Sequence, residues 1–212
     1  MKFRLAGLVL SLGLVGVICG ATLGNRWSLF ADAETVKISS HPNKFAFELL
    51  SSNTVGEGGG GVEFDPSAAP KFSKLHTLSA DFRALEGGVG GGSPRFSIGL
   101  DMNNNGQWDE GIDANIFAYF GPVETGFHQP TSDQWENTGN LIGTPENRWD
   151  LNQIGSTRYY DDYATALSMA GNKKILYIYL VIDSGWLFGD QVVQVNNITV
   201  NDSTLVARKP QP

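Results

Sequence analysis

The sequence predicts an all-β fold, two antiparallel sheets packed face to face, with one short α-helix near residues 159–170. Three observations carry that expectation. Short segments rich in β-branched and aromatic residues recur along the chain, and Gly, Asn, Asp and Pro separate most of them. Only one stretch has its apolar residues at helical spacing. Aromatics make up 11% of the chain and charged residues only 17%, a composition suited to one domain with a sizeable core.

Taken in order, the expected strands are 35–38, 44–50, 75–85, 95–100, 114–120, 174–182 and 191–200. Two glycine clusters, 56–61 and 87–93, interrupt the pattern and read as loops within one domain. Neither leads into a helix or carries the Lys-Ser/Thr ending of a phosphate-cradling loop. In the helix, Tyr163, Ala166, Leu167 and Ala170 share one face and Gly171 supplies the stop, which predicts packing across a sheet edge.

Lys2 and Arg4 precede an unbroken apolar run over residues 5–18, the pattern of a secretory leader rather than of a membrane span. The expected division is a leader over 1–21 and a single domain over 22–212, with cleavage after Ala21 or further on, near Ala31 and Ala33. Cys19 lies inside the leader, so the mature chain has no thiol and no disulfide. Losing Lys2 and Arg4 leaves 13 basic side chains against 22 acidic, which disfavours nucleic acid as a partner. No second apolar span follows, so the expected locale is secreted, extracellular or cell-surface, with no membrane span after cleavage.

Residues 101–113 concentrate oxygen-bearing side chains between two strand-like segments. Asp101, Asn103 and Asn105 alternate, Gly106 permits a sharp turn, and Gln107, Asp109, Glu110 and Asp113 follow; such a set can complete a calcium shell of six to eight oxygens. The helix-loop-helix calcium motif itself fails, because its twelfth position, a bidentate Glu, is Ile112 and the flanks are strand-like. A strand-loop-strand calcium site is one reading. An Asn/Gly-rich hairpin turn without an ion is the other.

The closing segments resemble those of secreted jelly-roll modules, many of them carbohydrate-binding. A long strand over 174–182 runs through Gly185 and Trp186 to a last strand ending in Asn196, Asn197, Ile198 and Val200. The resemblance implies a β-sandwich of jelly-roll type. Near the N-terminus, Phe30, Asp32 and Glu34, followed by Asn43, Phe45 and Phe47, resemble the TasA/camelysin group of biofilm-fibre proteins. That likeness implies extracellular fibres built by passing an N-terminal strand to the next subunit, with Trp27, Leu29 and Phe30 on the donor strand. The chain departs from the group in having Trp27, Ser28 and Leu29 before Phe30. The same segment also reads as the first strand of its own domain.

Catalytic signatures are missing from the sequence. His41, His76 and His128 are isolated, with no zinc-binding spacing, and solvated or capping roles are expected for them. There is no Gly-x-Ser-x-Gly elbow, and Asp109/Glu110 and Asp161/Asp162 are adjacent pairs whose side chains diverge on a strand. The expectation is therefore a non-enzyme, with no catalytic residues: a cell-surface or matrix structural protein, calcium-stabilised, partnered with itself as a homopolymer. The alternative is an extracellular carbohydrate-binding module whose partner is a polysaccharide, with Trp135, Asn137, Asn140 and Trp149 as the platform. Asn197 and Asn201 each begin a formal N-glycosylation sequon.

Overall fold

A computed structural model describes residues 27–52, 58–65, 70–90, 92–121, 128–129, 134–183 and 189–210. The expected leader and Trp186 lie outside these residues. The strands are β1 (Trp27–Ala31), β2 (Ala33–Lys37), β3 (Phe45–Ser51), β4 (Gly59–Phe64), β5 (Leu78–Glu86), β6 (Val89–Gly90) and β7 (Arg95–Asp101). They continue with β8 (Ala114–Tyr119), β9 (His128–Gln129), β10 (Glu136–Asn137), β11 (Trp149–Asp150), β12 (Lys174–Asp183), β13 (Gln191–Val200) and β14 (Ser203–Leu205). The helix α1 spans Tyr163–Ala170.

Two sheets face each other. The first runs β1-β4-β12-β7-β8-β11, and the second β10-β5-β13-β3-β2 with β14 added to β13. A jelly roll is recognisable in this order: β4-β12-β7-β8 oppose β10-β5-β13-β3, and the chain changes sheet from β3 to β4, β4 to β5, β5 to β7, β8 to β10, β10 to β11 and β12 to β13. All the named pairings are antiparallel.

Strict alternation sends one side of each long strand into the core. On β5, Leu78, Ala80, Phe82 and Ala84 are buried, while Ser79, Asp81, Arg83 and Leu85 face outward. On β12 the alternation is interrupted on purpose. A bulge at Leu176 shifts the register between Ile175 and Tyr177, so Ile175 and Ile178 both point inward and Tyr177 and Tyr179 both point outward. A second bulge on β13 keeps Val195 and Ile198 inside, with Asn197 at φ 44° and the wholly buried Asn196 bonding Phe45 O and the Ala207 N–H.

The helix begins later than its periodicity predicts. Trp149 and Asp161 exchange backbone hydrogen bonds, so residues up to Asp161 belong to a bridge, and Asp162 caps the helix by accepting the Thr165 N–H at 2.8 Å. Tyr163, Ala166 and Ala170 do face the core, with Tyr163 packed against the rings of Phe72 and Trp149, but Leu167 is 40% exposed.

The first glycine cluster requires a correction. Gly59, Gly60 and Gly61 are not loop residues; they form half of β4, an interior strand between β1 and β12. In the second cluster Val89 and Gly90 likewise form the short strand β6, paired with β9. The reason for the glycines in β4 is close approach. A Cβ on Gly61 would come within 2.7 Å of Phe30 Cε1 and 2.6 Å of Leu180 O, and one on Gly60 would overlap the Asp32 carbonyl.

The N-terminal segment edges both sheets. Trp27–Ala31 pairs with β4 of the same chain in the first sheet, Ala31 turns at φ 51°, and Ala33–Lys37 pairs with β3 in the second. Asp32 ties this corner together, its N–H donating to Gly59 O and its carbonyl accepting from the Leu50 N–H.

Candidate functional site

The loop between β7 and β8 is built from inside outward. Asp101 ends β7 with no exposed surface, and its carboxylate accepts the Asn105 N–H at 3.2 Å and the Gly106 N–H at 2.9 Å. Asp113, also buried, accepts the Met102 N–H at 2.8 Å and the Asp109 N–H at 2.7 Å. Each of these charge-assisted bonds contributes roughly 1.5–3 kcal/mol, and the Lys173 ammonium donates to Met102 O beside the two acids at 3.2 Å. Asn103 and Asn105 repeat the device one and two steps on, accepting the Asn105 and Gln107 N–H groups. Gly106 at φ 81° and Asn104 at φ 65° supply the left-handed turns that the winding requires.

Above this base, three side chains converge. The Asn103 and Asn105 amides both reach Asp109 Oδ2, at 2.7 and 2.5 Å. Here the point is lined by one carboxylate and two amide N–H donors; presenting amide oxygens instead, the donors that calcium takes, would break the bonds these oxygens accept from the Asn105 and Gln107 N–H groups. Gln107 and Glu110 are exposed on the solvent side. Among the described residues, no three His, Cys, Asp or Glu side chains form a group able to hold a metal. The loop's convergence is of a different kind, one carboxylate with two amides.

The four expected platform residues are not brought to one surface. Trp149 is wholly buried, its ring against Phe72 and its indole N–H donating to Leu141 O. Asn140 bridges the Leu78 and Ile142 N–H groups and His76 O, so its amide holds backbone together. Trp135 and Asn137 do join one cluster, linked through His41 and Asp81 on the outer face of the second sheet. There Trp135 lies edge-on to His41 at 4.5 Å with the Arg83 guanidinium 5.6 Å from its ring centre.

Sequence reading missed the hub of that cluster, Asp81. Its carboxylate takes Asn137 Nδ2 at 2.6 Å, Asn197 Nδ2 at 2.5 Å and His41 Nε2 at 3.3 Å. Because the Asn43 N–H donates to His41 Nδ1, the proton sits on Nε2 and points at Asp81. His41 is therefore a buried structural histidine, not a solvated one. No spacing signals this, since 41, 81, 137 and 197 meet only through sheet pairing.

The remaining candidates are spread out. Asp161 accepts from Ser156 Oγ while its neighbour Asp162 caps α1, so that pair diverges as expected. The sequon amides are engaged: Asn197 with Asp81, Asn201 with Lys74 O and the His76 N–H. Trp27, Leu29 and Phe30 lie together on β1, with Trp27 5.2 Å from the Phe47 ring, Leu29 packed on the core and Phe30 over Gly61. No helix among the described residues is long and apolar enough to cross a membrane.

Comparison with protein-family models, with curated proteins and with solved structures finds no match to this chain.

Proposed function

We propose that this protein is a secreted, non-catalytic structural subunit of the cell surface or extracellular matrix, joined to its neighbours by exchange of β1 and stiffened by calcium in the loop 101–113. The observation that carries the reading is the seat of β1. Among the described residues this strand pairs along one side, with β4, and the glycines of β4 leave room for it. It connects to the rest of the domain through one corner, Ala31–Asp32, where Ala31 has positive φ. An extended peptide from a second copy offers β4 the same hydrogen bonds and the same Phe30 ring, so exchange costs little beyond opening the corner.

A second feature loosens the segment that follows the corner and so eases its opening. Glu34 and Glu48 are direct cross-strand partners of β2 and β3, and like charges placed opposite one another weaken a pairing. Asp32 and Glu34 also line, with Glu86 and Asp190, one cavity of about 580 Å³ at the corner, a concentration of negative charge on the hinge. The resemblance of residues 20–36 and 43–49 to the TasA/camelysin group points the same way.

The test is sedimentation of the purified protein in calcium, with the pellet viewed by electron microscopy, against a variant lacking the residues before Thr35. Ordered fibres from the full protein and none from the deletion are expected. Fibres that persist without β1 would remove strand exchange.

A further inference from the structure

We propose that the acidic cavity at the β1–β2 corner binds a linear aliphatic polyamine, ammonium groups joined by methylene chains. Four acids line it, Asp32, Glu34, Glu86 and Asp190, and no Lys, Arg or His does. The carboxylates of Asp32, Glu34 and Glu86 have no ion pair or hydrogen bond among the described residues. A second observation is independent of charge. Ser51, also in the wall, is only 5% exposed, and its hydroxyl has no hydrogen-bond partner among the described residues. Buried polar groups are normally paired, and an ammonium N–H supplies the donor that this oxygen lacks.

The fold spreads these groups along a line. Glu86, Val192 and Leu50 pair directly across β5, β13 and β3, so their side chains share the outer face of the second sheet. Glu34 lies on the same face of the next strand, β2, opposite Glu48. An acid therefore stands at each end of an apolar floor of Val192 and Leu50, three strand spacings or roughly 14 Å apart. Consecutive residues of β3, Leu50 and Ser51, both line the cavity, so it curls over the end of that strand toward Asp32. Gly58, at φ 71°, leaves the Asp32 carboxylate its place: a Cβ there would come within 2.5 Å of Asp32 Oδ2.

This layout selects the occupant. Among the described residues, no three acids are grouped closely enough to hold a metal, so a single ion cannot answer to all of them. A chain of ammonium groups can, each meeting an acid while the methylenes between them lie on Val192 and Leu50. The volume of about 580 Å³ is in the range that takes a small organic ligand. The site is complete within one chain, so its occupancy does not depend on strand exchange.

The test is isothermal titration calorimetry of spermine into the purified protein at physiological salt. Saturable one-to-one binding is expected, with butylamine at least tenfold weaker. Glu34→Gln, Glu86→Gln and Ser51→Ala should each weaken spermine binding at least threefold, and the Glu34→Gln/Glu86→Gln double variant at least tenfold. Asp202→Asn removes the same charge from an exposed position beyond the opposite end of β13 and should leave binding unchanged. Near-ultraviolet circular dichroism checks that each variant is folded. No saturable binding of spermine overturns the proposal, as does binding left unchanged in the double variant or weakened equally by Asp202→Asn.

Discussion

The ring of Phe30 lies on Gly61, its direct partner across β1 and β4, with room for no Cβ between ring and strand. Gly61→Ala is therefore expected to destabilise the fold by roughly 1–3 kcal/mol, the usual range for overpacking. Chemical denaturation measures it. The same substitution in a Phe30→Ala background should cost less, because the ring is gone, and an equal cost in both backgrounds would show that Leu180 O is the obstacle instead.

Calcium is expected to raise the melting midpoint through the loop 101–113. At a hundred times the dissociation constant, the gain is about 2.7 kcal/mol. Asp109→Ala should abolish the shift, since both amides converge on that carboxylate. A midpoint that calcium and chelator leave unchanged would return the loop to a plain hairpin turn.

Replacing Glu34 by Lys turns a like-charge pair with Glu48 into an opposite one. The expected gain is about 0.5 kcal/mol in low salt, fading as salt is added. If release of the N-terminal segment limits assembly, the same variant forms fibres more slowly. Turbidity against time reads that outcome.

Alkaline pH should weaken the fold once it rises past the point where exposed tyrosine titrates. Burial pushes the Tyr179 hydroxyl up to about 12, and burial pushes Tyr119 and Tyr177 further in the same direction. The folded state holds these protons more tightly than the unfolded chain, where tyrosine titrates near 10. Their contribution is thus complete below about pH 10 and is lost as pH rises through about 12. Urea unfolding at about pH 9 and about pH 11 should give a lower midpoint at the higher pH, and Tyr179→Phe should reduce that difference.

Asp81→Ala leaves His41, Asn137 and Asn197 without their shared acceptor. A loss of roughly 1–3 kcal/mol is expected, because the buried His41 and the part-buried Asn197 donors are orphaned at once. Asp81→Asn should recover only part of it, because an amide offers one oxygen where the carboxylate offers two. Thermal melts of the two variants distinguish these cases.

Much of the architecture was legible in local pattern. The alternation of 95–100, 114–120, 174–182 and 191–200 predicted β7, β8, β12 and β13 to within a residue or so, because a strand's period of two is written directly in its side chains. The loop 101–113 was equally legible, since its turns depend on residues only a few positions apart. Strand β4 was not. Glycines at 59–61 carry no side-chain pattern, and their use becomes visible only when Phe30, Asp32 and Leu180 O are seen to occupy the space a Cβ would need.

The same division holds for the surfaces. Local sequence pointed to Trp135 with its neighbouring amides, yet Trp149 went to the core and Asn140 to the backbone, because burial and backbone satisfaction outrank proximity in sequence. Phe30, Trp108 and the tyrosine pair Tyr177 and Tyr179 stand far apart along the chain, and only the sheet pairing brings their rings together. Residue type and period therefore determine the strands and the turns of the loop 101–113, both short-range. Which aromatic rings share a face depends on register between distant strands, a long-range property that no single segment contains.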